Sequence, residues 1–370
     1  MAEATARRVD ALLVPGDLFD GEEADVETVN RAVECVRAAG CPPVFIAPGN
    51  HDCYSRASTY YDNAKLAARH QPVWPAHVHI FTSPEFASAE LSGRPEVRVW
   101  GRCVDANVES DDRVLARAPR PGPGLAHVLL LHGSRDGFLA PGKRLTAPFS
   151  DAELLAAGFD YAALGHYHEP AEVRDGRGRL RAAYAGSPAA LARDETGPHG
   201  ALLVRLTVDA SAAAPEARGL AVETEPVPLD ERRLLAVTAD LAGAGSPEAV
   251  RERVLAALAA AGATPRDLAV ARLTGRVRPG VDLAPRAEDF AERVWCLLAD
   301  VSELRPDYDL ESYRRGEPRT TEERFARSLL AEIDDERDPA RRAELESALY
   351  YGLDALKQGR VAPRYEWGLE

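Results

Sequence analysis

The 370-residue sequence predicts an α/β fold of two sheets packed face to face, followed by a small α+β domain and a helical tail. Through about residue 165, short apolar runs alternate with helical patterns, which is typical of βαβ units and a largely parallel sheet. From residue 180 to 227 the pattern changes to strands separated by Gly and Asp turns. These two halves predict one α/β layer and one antiparallel layer.

The elements of the first domain are predicted from apolar runs, helical periodicity and turn residues. Val26, Val29, Val33 and Val36 lie roughly on one face of a helix that Gly40 ends. The predicted helices are 25–39, 56–70 and 151–157. The predicted strands are 9–15, 43–47, 77–82, 97–102, 126–131, 161–164, 180–185, 201–208 and 220–227.

The composition shifts near Leu229, which predicts a domain boundary. Beyond it we expect strands at 233–239 and 268–277, and helices at 247–261, 287–298, 321–330 and 339–356. The predicted organisation is therefore a first domain at 1–229, a second at 230–305 and a helical tail at 306–370.

Charge and cysteine content limit the classes of function. The chain has 45 basic and 59 acidic residues, a net charge of −14, which argues against a general electrostatic hold on nucleic acid. Metal ions and a local arginine groove would still suffice to hold phosphates.

Five scattered cysteines without a C-x-x-C motif indicate reduced thiols. With no apolar stretch of about 18–20 residues and no signal-peptide core, we expect a cytoplasmic protein without a membrane span.

Metal-ligand residues follow four of the predicted strands. Because ligands bind beyond the carboxyl ends of strands in open α/β sheets, we expect these loops to meet at one edge. The four loops are Gly16-Asp17, Gly49-Asn50-His51-Asp52, His132-Gly133 and Gly165-His166-Tyr167-His168.

The residue types in these loops suit manganese, iron or zinc, which accept carboxylate, imidazole and amide ligands. Asp17 is able to bridge two ions about 3.5–4 Å apart. His51, oriented by Asp52, is predicted to donate a proton or to stabilise a phosphate oxygen. Taken singly, a Gly-Asp pair is more often a turn, and Gly-Asn-His-Asp is equally compatible with one. The four loops together favour a metal site.

This combination resembles the calcineurin-like metallophosphoesterase superfamily, over roughly residues 9 to 228. The resemblance implies a two-sheet sandwich that hydrolyses phosphoesters with two divalent ions, for which we expect Mn²⁺, with Fe and Zn as alternatives. The run from Gly16 to Asp20, the Gly186-Ser187-Pro188 turn and the additional domain resemble the SbcD/YhaO-type DNA repair exonucleases. In that branch, residues 230–305 would form a capping domain.

The resemblance also implies a role for each motif residue. Asp17 would bridge the ions and His168 would bind the first, while His51, backed by Asp52, would assist an attack on phosphorus by an activated hydroxide. The expected ligands of the second ion are Asp17, Asn50, His132 and His166. Tyr167 and Ser187 are expected to bind substrate, with core packing and an ordinary turn as their alternative interpretations.

The first block of the family, an Asp-x-His on the first strand, does not occur before Asp17. We therefore expect an incomplete first metal site and a sheet whose hydrophobic edge is open. One hypothesis is that the native chain begins further upstream. The other is a one-metal or inactive descendant, which the retention of His51 disfavours.

These observations predict a metal-dependent DNA exonuclease of DNA repair. The charge of −14 keeps open a phosphoesterase for a small substrate such as a cyclic nucleotide, and the missing block keeps open a catalytically impaired scaffold. The expected partners are DNA, a second copy of the chain and an SbcC-like coiled-coil ATPase. The helical tail would dock that ATPase, unless it is simply a solvated helix pair.

Overall fold

A computed structural model describes residues 1–21, 24–55, 60–138, 145–208, 220–279, 287–359 and 361. The chain divides into two units. The first unit comprises Met1–Pro188 and His199–Leu229, and the second comprises Ala189–Pro198 and Asp230–Glu370. The predicted mixed α/β class with helical C-terminal elements is confirmed.

Two sheets organise the first unit, one parallel and one mixed. A three-stranded parallel sheet has the order β1 (Leu12–Val14), β2 (Val44–Ile46), β3 (Val78–Ile80). A six-stranded sheet has the order β4-β5-β6-β7-β9-β8, in which β5, β6, β7 and β9 are parallel and the two outer strands are antiparallel to their neighbours. Its strands are β4 (Ala87–Leu91), β5 (Arg94–Gly101), β6 (Ala126–His132), β7 (Tyr161–Gly165), β8 (Ala171–Arg174) and β9 (Leu180–Tyr184).

Apolar side chains join these sheets to each other and to an antiparallel hairpin, β10 (Gly200–Val208) and β11 (Leu220–Pro228). Phe45 and Phe81 pack with Leu130 between the two sheets. Val128 and Tyr161 form a core with apolar residues of the hairpin. Every residue of β6 is buried, so burial of the apolar residues 128–131 holds the last residue of the strand, His132, in place.

Within the part of the chain that the structure describes, no strand pairs with the outer edge of the smaller sheet, as the sequence predicts. β1 is its outer strand, and an apolar groove of about 600 Å³ runs beside it. Residues of β1, β5, β6 and β10 line this groove, among them Leu13, Val97, Val128 and Leu202.

Side-chain caps begin three of the helices described in the first unit. α1 covers Ala2–Ala6, and α2 (Val26–Val36) begins where the Asp25 side chain accepts from the Thr28 amide. α3 (Asn63–Ala68) is capped by Asp62, so the helix predicted over 56–70 begins later; residues 56–59 lie outside the described residues. α4 (Asp151–Ala157) has a Ser150–Glu153 capping box and ends at Gly158, which has a φ of 81°.

The second unit contains a parallel sheet and a helical region. The sheet has the order β12 (Leu234–Asp240), β13 (Leu268–Val277), β14 (Cys296–Pro306), and α5 (Pro247–Ala260) joins the first two strands. The predicted helix over 287–298 is wrong, because a 3₁₀ turn at Ala287–Phe290 is followed by β14.

In the described part of this unit, the sheet is followed by α6 (Leu310–Arg314), α7 (Thr321–Asp335) and α8 (Pro339–Gln358). Leu330 of α7 and Leu349 and Leu353 of α8 share one apolar core. The predicted boundary between residues 305 and 306 stays a prediction. Among the described residues, the helices are all too short or too polar to cross a bilayer.

Candidate metal centre

Four side chains from four different strand ends meet at one point of the first unit. Asp17 follows β1, Asn50 follows β2, His132 ends β6 and His166 follows β7. His132 Nε2 lies 2.9 Å from Asn50 Oδ1 and 3.3 Å from Asp17 Oδ2, and His166 Nδ1 lies 3.2 Å from Asn50 Oδ1. The ligand atoms of Asp17, His132 and His166 all lie within 4.8 Å of one another. We call Asp17, Asn50, His132 and His166 the metal centre.

The tautomer of His132 is set by the backbone. Its Nδ1 lies 2.9 Å from the carbonyl oxygen of Pro15, which only accepts, so Nδ1 carries the hydrogen. In the neutral ring, Nε2 then presents its lone pair towards the oxygens of Asp17 and Asn50. Three acceptors facing one another require a cation or a proton among them. The donor set therefore fits a divalent ion with nitrogen and oxygen ligands.

His166 is available as a ligand at neutral pH. Burial, with a further contribution from nearby His132, lowers the pKa of His166 to about 4. A neutral imidazole offers a lone pair to a metal, whereas an imidazolium does not.

Unusual backbone conformations accompany two of these residues. Asp17 has a φ of 54° and His166 a φ of 115°, conformations that are strained for residues with a side chain. The loops approach so closely that residue 165, next to His166, has to be glycine. A Cβ on Gly165 would overlap the Pro15 carbonyl oxygen. The surrounding contacts therefore hold the ligand loops in place against their local preference.

The Asp52 carboxylate holds the Asp17 loop and does not orient His51. Asp52 is fully buried and accepts five hydrogen bonds. Its donors are the amides of Asp17 (3.1 Å), Leu18 (2.7 Å), Phe19 (3.3 Å) and Gly49 (2.6 Å), and the hydroxyl of Tyr61 (2.5 Å). Burial and the Asp52 charge raise the pKa of Tyr61 well above its usual range, which keeps this hydroxyl a donor.

The acid beside His51 is Asp20. His51 Nδ1 lies 3.3 Å from Asp20 Oδ1, and the side chains are 50% and 98% exposed. The His51 amide donates to Asp17 Oδ1 at 3.0 Å, so the ring stands next to the metal centre and open to solvent. This contact corrects the predicted pairing of His51 with Asp52.

His168 is placed beside the metal centre but outside its group of converging ligand atoms. It is exposed, and its carbonyl oxygen accepts from the Ser187 amide at 2.9 Å. Its assignment to the first ion stays a prediction.

The two residues predicted to bind substrate both make internal contacts. The Tyr167 ring lies 5.1 Å from His166 and 4.9 Å from Tyr184. Ser187 is buried, and its hydroxyl lies 2.9 Å from His199 Nδ1. These contacts favour packing for Tyr167 and a structural turn for Ser187, and their predicted substrate roles stay predictions.

Sequence reasoning missed three contributors to this site. The Pro15 carbonyl belongs to the backbone, so side-chain patterns carry no signal for it. Tyr61 belongs to none of the four motif loops, and its proximity to Asp52 depends on the fold. His199 follows Thr196-Gly197-Pro198, which reads as a turn.

Comparison with known proteins agrees with this geometry. Residues 2–170 match the calcineurin-like phosphoesterase family. The uncharacterized metallophosphoesterase YhaO of Bacillus subtilis is 30% identical over 214 residues, which cover 56% of this chain and 48% of that protein. The DNA double-strand break repair protein Mre11 of Aeropyrum pernix is 32% identical over 178 residues, covering 44% of this chain and 40% of that protein.

Residues 2–170 thus match a calcineurin-like metallophosphoesterase domain, which confirms the resemblance inferred from the motifs. The chain spans about half the length, or less, of these two curated relatives.

Proposed function

We propose that this chain hydrolyses phosphodiester bonds in a reaction that depends on a divalent metal, and that DNA is its substrate. The observation that carries the hydrolase proposal is the convergence of the Asp17, Asn50 and His132 acceptors with His166 at the strand ends. Similarity to a DNA double-strand break repair protein supports DNA over other phosphodiesters.

The proposed roles follow from position and exposure. The metal centre would hold the ion, which when bound supplies a Lewis acid for the phosphoryl group. Asp52 keeps Asp17 in its strained conformation through the amides of the loop. His51 is half exposed with Nδ1 beside Asp20, and in its imidazolium form it would donate the Nε2 proton to the leaving oxygen.

Manganese is the proposed ion, since the set mixes imidazole with carboxylate and amide oxygens. A second ion would have to use Asp17 and His168, and the measured stoichiometry of bound metal would decide between one ion and two. A role in cytoplasmic DNA repair, with a coiled-coil ATPase as partner, is part of the same proposal.

The test uses the full chain, stripped of metal by chelation and then supplied with Mn²⁺. We expect it to hydrolyse both bis(p-nitrophenyl) phosphate and a labelled DNA duplex. The variants His132→Ala and His166→Ala should lose this activity, because each removes a ligand. His70→Asn is the matched control, since His70 is exposed at the end of α3.

The two substrates separate the parts of the proposal. Hydrolysis of the small diester without any cleavage of DNA would reject DNA and favour a small substrate, which the net charge of −14 also suits. Failure on both substrates, in protein that binds Mn²⁺, would reject the phosphodiesterase proposal.

A further inference from the structure

We propose that Tyr61 is a positioning residue, whose hydroxyl acts through Asp52 to fix the loop that carries Asp17 into the metal centre. This inference rests on the proposed function, because it concerns how the same metal centre is held. Among the described residues, the hydroxyl of Tyr61 donates to Asp52 and not to Asp17, Asn50, His132 or His166. Its effect would be transmitted through one buried carboxylate.

The backbone around Asp17 depends on that carboxylate. Three consecutive amides, of Asp17, Leu18 and Phe19, turn towards Asp52, an arrangement known as an anion nest. Such a turn accounts for the positive φ of 54° at Asp17, a region that residues with a side chain seldom adopt. The backbone conformation of these three residues therefore depends on the position of the Asp52 carboxylate.

The same carboxylate joins the two ligand loops. Oδ1 accepts from the Gly49 amide at 2.6 Å, in the loop of Asn50, and from the Asp17 amide at 3.1 Å. Oδ2 accepts from the amides of Leu18 and Phe19 and from Tyr61. A displacement of Asp52 would thus move Asp17 and Asn50 relative to each other.

Burial and aromatic packing hold the Tyr61 hydroxyl against Asp52. Its side chain is 3% exposed, and its hydroxyl makes the shortest of the five contacts, 2.5 Å to Oδ2. Its ring is held by aromatic neighbours, Phe19 at 5.8 Å, Tyr60 at 5.0 Å and Trp74 at 6.1 Å between centroids. A rigid ring delivers a charge-assisted hydrogen bond with a fixed direction.

The adjacent tyrosine provides a matched control. Tyr60 is 2% exposed and packs in the same aromatic cluster, but its hydroxyl donates to the Gly21 carbonyl at 3.2 Å. Tyr60→Phe and Tyr61→Phe each remove one buried hydroxyl oxygen from neighbouring positions. They differ in whether that hydroxyl contacts Asp52.

The experiment is calorimetric titration of Mn²⁺ into the full chain and both variants, with thermal unfolding of the metal-free proteins measured in parallel. We expect Tyr61→Phe to raise the Mn²⁺ dissociation constant about 10-fold, as loss of an outer hydrogen bond does in metal sites. Tyr60→Phe should change the Mn²⁺ dissociation constant less than about 2-fold. We expect this difference between the variants even if both lose the same thermal stability. Wild-type affinity in Tyr61→Phe, or equal weakening in both variants, would overturn the inference.

A second measurement covers the case in which Tyr61→Phe folds poorly. In the wild-type protein, the amide hydrogens of Leu18 and Phe19 should exchange slowly with solvent, since Asp52 accepts both. Rapid exchange at both positions would reject the nest that the inference requires.

The outcomes also separate this inference from the proposed function. A chain that binds Mn²⁺ but cleaves no phosphodiester would end the proposed function, while the comparison of the two variants would still decide the role of Tyr61. A wild-type chain that binds no Mn²⁺ would reject both.

Discussion

Two aspartates lie in the loops around His51, and their solvent exposure differs greatly. Asp52 is completely buried and accepts five hydrogen bonds, whereas the side chain of Asp20 is 98% exposed. A buried carboxylate needs such donors to offset its lost hydration. An exposed one is screened by water, and its pairing with a histidine stabilises either partner by at most about 1 kcal/mol.

This difference predicts a small effect for Asp20→Asn. A contribution of about 1 kcal/mol corresponds to a loss of roughly 5-fold in kcat. His51→Ala should lose about 10²–10⁴-fold, because it removes the proton donor itself. The measurement is kcat for bis(p-nitrophenyl) phosphate at saturating Mn²⁺. Asp10→Asn is the control, since Asp10 is also exposed and pairs with Arg94 at 2.9 Å. A 100-fold loss in Asp20→Asn would mean that substrate binding removes this pair from water.

At the level of elements, apolar runs that end in ligand residues were the most informative part of the sequence. The run from residue 126 predicts β6 and therefore places His132, because burial of the whole strand leaves little freedom at its end. β4 is missed, because Ala87–Leu91 is poor in β-branched residues and forms through pairing with β5. The nest around Asp52 is also missed, since backbone amides carry no sequence signal.

The error over 287–298 has a different cause. Phe290, Val294 and Leu297 are spaced as on one face of a helix, and all three are buried. In the structure, Phe290 lies in the 3₁₀ turn, Val294 in the connection that follows it and Leu297 in β14. All three pack in the core that also contains Val254 of α5. Parallel pairing of β14 with β13 decides the conformation, and periodicity within one short segment does not report such pairing.

An ion pair at the start of β13 makes the second unit sensitive to acid. Asp267 is buried and accepts from Arg233, which precedes β12, at 2.6 and 3.0 Å, and from Thr264. The hydrogen bond from Arg233 is the main cause that lowers the pKa of Asp267 to about 2. The unfolded chain, with an ordinary carboxyl pKa of 3.8, therefore binds more protons between these values. The stability contributed by Asp267 is present above pH 3.8 and is lost as the pH falls towards 2.

We expect Asp267→Asn to lower the free energy of unfolding by about 2 kcal/mol at pH 7, because it removes charge-assisted hydrogen bonds. The difference from wild type should shrink as the pH falls from about 4 towards 2. Urea unfolding at a series of pH values measures both effects, with the exposed Asp289→Asn as control. A difference from wild type that stays constant over this pH range would contradict the assignment.

At the scale of the whole molecule, charge argues against a broad basic surface for DNA. The net charge is −14, and arginines of both units are engaged by acids in the described residues. Arg135 pairs with Asp151 at 2.6 Å, and Arg272 lies 3.7 Å from Asp300 and 3.6 Å from Glu303. If DNA is the substrate, the metal has to supply much of the attraction for phosphate.

DNA binding should therefore require metal and depend weakly on salt. The measurement is fluorescence anisotropy of a labelled duplex with the His51→Ala variant, which should bind without cleaving. With Mn²⁺ we expect the slope of log K against log salt to be shallower than about −3, which corresponds to about three phosphates neutralised by side chains. Adding a chelator, or replacing His132 by Ala in the same background, should abolish binding. Binding that persists after chelation and depends steeply on salt would contradict this prediction. It would show that a basic surface, and not the metal centre, attracts the DNA.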